Sequence, residues 1–274
     1  MIIEIIGPPG IGKTTLVREV VKQKSKSHCC RFENSSQAVK TPKHNNCVMF
    51  FNKTGLYDWI KKHSLFSRFF FKAPSPRERQ TCLLNRSVEW NDFLKLCLET
   101  DLDDNESFAM RLVAIYWLVQ ALQTRAVIEV NTESNLIVFI DEPLIYRLSM
   151  FKKNKELETN VSLQKYFELV PMPHGVIHIS ASTNTIMKRI AGRQKNYSKV
   201  ALRHLNLTIE NIEADIHWST KVASFGVSIL KSRGVPVLDL DGERPLHDNV
   251  RLATQYAYQL HARHQSSGNS FLCA

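Results

Sequence analysis

The chain has 274 residues, 43% of them hydrophobic and 23% charged, the balance of a soluble globular protein with one sizeable α/β core. Lys plus Arg outnumber Asp plus Glu by 36 to 26, a net charge of +10, which suits anionic partners of several kinds without choosing among them. The longest uncharged apolar run, Leu112 to Leu122, falls well short of the roughly 20 residues that span a bilayer, and no signal peptide is read; a cytoplasmic protein is expected.

Met1–Ile6 reads as a short buried strand, Gly7–Gly12 as a loop, and Lys13 to about Lys24 as a helix with Leu16, Val17, Val20 and Val21 on one face. Gly7-Pro8-Pro9-Gly10-Ile11-Gly12-Lys13-Thr14 fits G-x-x-x-x-G-K-[ST] in its strand–loop–helix setting, the pattern of a phosphate-wrapping P-loop. Backbone amides from Gly10 through Thr14, together with the positive end of the following helix, suit a triphosphate, with Pro9 in the expected binding set. Lys13 reaches the β- and γ-phosphates as a point charge, and the Thr14 hydroxyl suits Mg²⁺. Gly10, Ile11, Gly12 and Thr15 complete the expected binding set for ATP.

The polar stretch from about Ser25 to Asn46 reads as a loop and Cys47–Phe51 as a second strand. The cysteines show no CxxC spacing, and His28, Cys29, Cys30, His44 and Cys47 do not match the usual zinc spacing, so reduced thiols are expected. Leu56 to Leu122 reads as mainly helical, broken by Pro74 and Pro76.

Leu136-Ile137-Val138-Phe139-Ile140 is an apolar run ending in Asp141-Glu142. An acid at the carboxyl edge of such a strand lies where ligands bind in open α/β sheets. Asp141 is the candidate for Mg²⁺, directly or through water, and Glu142 for orienting or deprotonating the attacking group. Gly175–Ile179 and Val235–Leu240 are further apolar runs, with helical patterns at Asn184–Lys195, Leu207–Lys231 and Arg244–Ala262. Runs that are apolar on both faces suit parallel strands covered by helices on each side. Arg189 and Arg193 stand four apart, on one helix face, where two guanidinium groups can neutralise a transferring phosphoryl group. Residues 263–274 read as a disordered tail.

The ordered set of Gly7–Thr14, Ile140-Asp141-Glu142, Ile177–Lys195 and Val235–Gly242 resembles the nucleoside and nucleotide kinase branch of P-loop proteins, of which thymidylate and adenylate kinases are examples. The resemblance implies a single three-layer α/β/α domain over residues 1–262, with a mainly parallel five-stranded sheet. It also implies a helical acceptor-side insertion at about 53–133 and a lid at about 186–199. The lid arginines would close over ATP, and the loop Asp241-Gly242-Glu243 would lie near the adenine. The Asp-Arg-[Tyr/Ser/Trp] expected after the third strand is replaced by Glu142-Pro143, a departure from the branch at its acceptor side. Arg68, Arg77, Arg79 and Arg86 of the insertion are available for an anionic acceptor. The expected activity is ATP-dependent phosphotransfer to a small molecule. The competing one is an ATPase coupled to a protein or nucleic-acid partner, for which adjacent Asp and Glu are also suited.

Overall fold

The computed structural model describes residues 1–23, 30–42, 71–99, 108–131, 135–141, 143–144, 161–194 and 208–269. In chain order the elements are β1 (Ile2–Ile6), α1 (Lys13–Lys22), β2 (Arg31–Asn34), α2 (Ser35–Ala38), β3 (Thr41–Pro42), β4 (Phe71–Lys72), α3 (Pro76–Arg86), α4 (Asn91–Glu99) and α5 (Phe108–Asn131). They continue with β5 (Leu136–Ile140), α6 (Val161–Leu169), β6 (Gly175–Ser180), α7 (Thr183–Gln194), α8 (Ile209–Ser232), β7 (Val237–Asp241) and α9 (Leu246–Asn269).

Five strands form one sheet in the order β2-β5-β1-β6-β7, and every pairing in it is parallel. β1 therefore lies in the middle, which is why all five of its residues are buried. Side chains alternate across a strand. Ile3 and Ile5 pack with Leu16, Val17 and Val20 of α1 and with Val250, Ala253 and Ala257 of α9. Ile2 and Ile6 serve the opposite face, in clusters with Leu122, Val127 and Ile128 of α5. Each fully buried Ile or Val contributes about 1.5–3 kcal/mol, so the continuous apolar runs are what two covered faces require.

Three expectations are revised. Cys47–Phe51 lies outside the described residues, and the second strand described is Arg31–Asn34, read from sequence as loop. Its register against Leu136–Phe139 buries Phe32 and Glu33, and Arg31 stands 3.2 Å from the Glu33 carboxylate; an edge pairing makes a strand of residues that alone look polar. Helix α6 occupies a stretch for which no element was expected. Helix α9 runs to Asn269, past the expected start of the tail at 263, because a helix already propagating adds one hydrogen bond for each residue it fixes. Of the helical insertion, α3, α4 and α5 are described, while 53–70, 100–107 and 132–133 are not. No helix among the described residues is long and apolar enough to cross a membrane.

Candidate functional site

β1 ends at the P-loop, whose path depends on two glycines. Gly10 has φ +86° and packs so close to α7 that a Cβ would stand 2.8 Å from Ile190 Cγ1. Gly12, at φ +108°, is the N-cap of α1, a backbone conformation that side chains disfavour. No side chain caps α1 and its first turn holds no acid, so the first-turn amides and the positive helix end face an incoming anion without local competition. Lys13 Nζ donates to the carbonyls of Gly7 (2.6 Å) and Pro8 (3.1 Å), which lays its ammonium against the start of the loop. Thr14 is exposed beside it.

A pocket of about 350 Å³ adjoins the loop, its lining including Gly10, Ile11, Thr15, Arg189, Gly242 and Asn249. Arg189 spans it as a fork: Nη1 donates to Ile11 O at 2.8 Å and Nη2 to Gly242 O at 2.7 Å. The fixed geometry of a guanidinium thus ties the P-loop to the loop after β7. That second loop is pinned from several sides. Gly242 N donates to Ser180 O at 2.7 Å, Glu243 N to Asp241 Oδ1 at 2.8 Å, and Asn249 Nδ2 to Asp241 O at 2.8 Å. Glu243 Oε1 accepts from Ser182 N (3.0 Å), Ser182 Oγ (2.6 Å) and Thr185 Oγ1 (2.9 Å) at the start of α7. Bonds from Ser182 first, then Thr185, with the charge of Arg189 adding to them, hold the Glu243 carboxyl below its ordinary range.

Residues 3–191 match the family model of the ATPase family associated with various cellular activities (AAA), a span of more than half the chain. The chain belongs to the AAA family. The matched span carries the P-loop, Asp141 and Arg189, and the pocket is closed by residues beyond it. This AAA-family chain is also similar to a solved deoxyadenosine kinase from M. mycoides with bound dATP, at 15% identity and a TM-score of 0.45, covering 93% of this chain and 98% of that one. A search of the curated proteins finds no match.

The AAA-family chain holds a P-loop nucleotide-binding domain, and its carboxylate lies on the strand next to the loop. Glu4 of β1 registers with Ile140 of β5, so Asp141, the next residue, runs alongside Ile5 on a strand one ladder spacing away. Asp141 is half-buried and makes no hydrogen bond or ion pair among the described residues. An exposed hydroxyl at Thr14 and a half-buried carboxylate at Asp141 are oxygen donors of the kind that fit Mg²⁺, which takes hard oxygen ligands and keeps phosphate and water ligands of its own. Among the described residues no group of three or more His, Cys, Asp or Glu gathers to hold a metal by itself.

The expected residues land unevenly. Gly10, Ile11, Gly12 and Thr15 line the pocket. Arg189 is taken up by two backbone carbonyls and stands on the pocket side of the loop. Asp241 is not among the lining residues; its side chain turns the loop through Glu243 N, and Gly242 is the residue that reaches the pocket. Arg193 lies on α7 one turn beyond Arg189, its side chain outside the described residues, as is Glu142. In the insertion, Arg86 pairs with Glu89 at 2.8 Å and approaches Glu129 at 3.5 Å, and Arg79 donates to Pro74 O; Arg77 is exposed, and Arg68 is outside the described residues. Sequence reasoning missed Arg244 and Asn249, which line the pocket from the turn before α9 and from its first turn; Asn249 is the fourth residue of that helix, past the cap position, and no local pattern marks it.

Proposed function

We propose that this chain is an ATP-dependent phosphotransferase whose acceptor is a small molecule of nucleotide, nucleoside or sugar type. The observation that carries this reading is the helical wall on the Asp141 side of the P-loop. Ile6, the residue before the loop, packs in one apolar cluster with Trp90, just ahead of α4, Phe93 of α4, Leu118 and Leu122 of α5, and Leu144, three residues beyond Asp141. Tyr166 OH of α6 donates to Leu144 O at 2.7 Å, fixing the chain that leaves the carboxylate. Helices packed on this side of the sheet suit transfer to a bound acceptor, which must keep water from competing for the phosphoryl group.

In this scheme Lys13 and the loop amides hold the triphosphate, and Arg189 braces the pocket that receives the base. Thr14 and Asp141 would hold Mg²⁺, which supplies charge neutralisation at the phosphates when bound. Glu142 is assigned to the acceptor hydroxyl and Arg193 to the transferring group.

A second reading, an ATPase that couples hydrolysis to a protein or nucleic-acid partner, is favoured by the AAA family match over residues 3–191 and by the Asp141-Glu142 pair. The two part in one assay that follows ADP and free phosphate separately, with Mg·ATP and a metabolite panel. Acceptor-dependent ADP with a phosphorylated product supports transfer. ADP matched by free phosphate without any acceptor, and stimulated by nucleic acid or a protein partner, supports the ATPase.

A further inference from the structure

We infer that Asn249 makes the pocket selective for adenine, whose amino group stands at position 6, over 6-oxo purines. The inference rests on the nucleotide reading of the site and adds its base preference.

Asn249 stands in the first turn of α9, lines the pocket and is 6% exposed. Its two carboxamide ends are not equivalent. Nδ2 donates to Asp241 O at 2.8 Å, and because a carbonyl only accepts, the NH₂ end must face Asp241. Oδ1 is then the end left over, and it is buried with no hydrogen-bond partner among the described residues. A shielded acceptor without a donor is costly to keep, and a ligand N–H beside it removes the cost.

The carboxamide cannot turn over to offer its NH₂ to a ligand without leaving two carbonyl oxygens facing each other at Asp241. It is therefore set as an acceptor. Adenine carries an exocyclic amine at position 6, a donor; guanine and hypoxanthine carry an oxygen there, an acceptor. At position 6 the first completes Oδ1 and the second opposes it; a 6-oxo purine meets the same atom only by shifting to present its N1–H, so a base held with position 6 at Oδ1 is read as adenine. Arg244 and Leu246, both exposed, line the same pocket; bringing a base edge to the shielded Oδ1 requires its neighbours to shift, with a small turn about the soft terminal torsion of Asn249.

The test is titration calorimetry of the whole chain with Mg·ATP, Mg·ITP, an ATP whose 6-amino group carries two methyls, and inorganic tripolyphosphate. ITP differs from ATP at position 6 by the 6-oxo group and the N1 proton that accompanies it. ATP is expected to bind roughly 10- to 100-fold more tightly than ITP or the dimethyl analogue. In Asn249→Leu the ATP:ITP ratio falls to within about threefold, and retained tripolyphosphate binding certifies that the variant is folded. Equal binding of ATP and ITP, or of ATP and its dimethyl analogue, by the unaltered chain overturns the inference while the P-loop reading stands. An undiminished ATP preference in Asn249→Leu removes Asn249 from the role. No binding of any of the four, tripolyphosphate included, overturns the nucleotide reading itself. The ligand series on the unaltered chain decides the matter if Asn249→Leu fails to fold.

Discussion

Arg125 of α5 brings Nη1 to 2.8 Å from Oε1 of Glu4, the middle residue of the strand that delivers the P-loop, and the two side chains are 3% and 1% exposed. The same guanidinium donates from Nε to Glu129 at 2.5 Å and from Nη2 to Met172 O at 2.7 Å. One side chain thus joins β1, α5 and the segment leading into β6. Removing one partner of a buried pair strands the other, at about 3–5 kcal/mol, whereas replacing both with apolar groups is often neutral. Arg125→Met is expected to lower unfolding stability by that amount in urea melts, and Glu4→Leu with Arg125→Met together to recover most of it. A loss below about 1 kcal/mol in the single variant is what an exposed pair would give and would contradict this account.

Gly226 of α8 faces Phe167 of α6, and a Cβ there would approach Phe167 Cε1 at 2.2 Å. Ala is the better helix former by about 1 kcal/mol, yet overpacking of a fixed ring costs about 1–3 kcal/mol. Gly226→Ala should therefore destabilise, and Gly226→Ala with Phe167→Leu should regain part of the loss. A raised Tm in the single variant would show that the helices slide apart without cost.

Lys13→Ala should lower turnover by about two orders of magnitude or more, since it removes charge compensation at the transferring group. The fold should persist, because Lys13 sits at the start of α1 and its partners include loop carbonyls. Steady-state ADP release and circular dichroism check the two halves of this expectation, and full activity in the variant would dismiss the catalytic assignment.

Arg189 and Arg193 should differ in kinetic signature. Arg189→Ala leaves the carbonyls of Ile11 and Gly242 without their shared donor and loosens the pocket. KM for ATP should rise roughly tenfold with a smaller change in kcat. Arg193→Ala should mainly lower kcat. Identical profiles for the two variants would refute the division of roles.

Helix α3 begins with a capping box in which Ser75 Oγ accepts from Glu78 N and Glu78 accepts from Ser75 N. The backbone bond from Ser75, then its side-chain bond, then Lys72 hold the Glu78 carboxyl at about 2, below its ordinary 4.5. A depressed carboxylate stabilises the fold above its unfolded value and loses that contribution as pH falls from about 4.5 towards 2. Amide exchange at the first turn of α3 should accelerate across that window, and Glu78→Gln should flatten the response. Exchange that is level with pH, once intrinsic rates are divided out, would remove the capping carboxylate from the account.

How far the sequence was legible depends on whether a feature is local. β1, the P-loop and α1 form one continuous segment, so apolar run, glycine spacing and amphipathic helix could be read together. β5, β6 and β7 were legible because strands covered on both faces must be apolar. β2 was not, because Arg31-Phe32-Glu33-Asn34 becomes a strand only by pairing with Leu136–Phe139, about a hundred residues away.

The site divides in the same way. Sequence alone determined that a triphosphate-wrapping loop leads a helix and that an acid, Asp141, closes a strand, since each is a short-range pattern with its own chemistry. Only the tertiary structure decided that β1 and β5 are neighbours, that Arg189 spends its fork on Ile11 and Gly242, and that Asn249 reaches the same pocket. The bond from Arg189 to Ile11 alone joins residues 178 positions apart. Their partners are set by how helices and strands pack, a property of the whole core that no window of the chain contains.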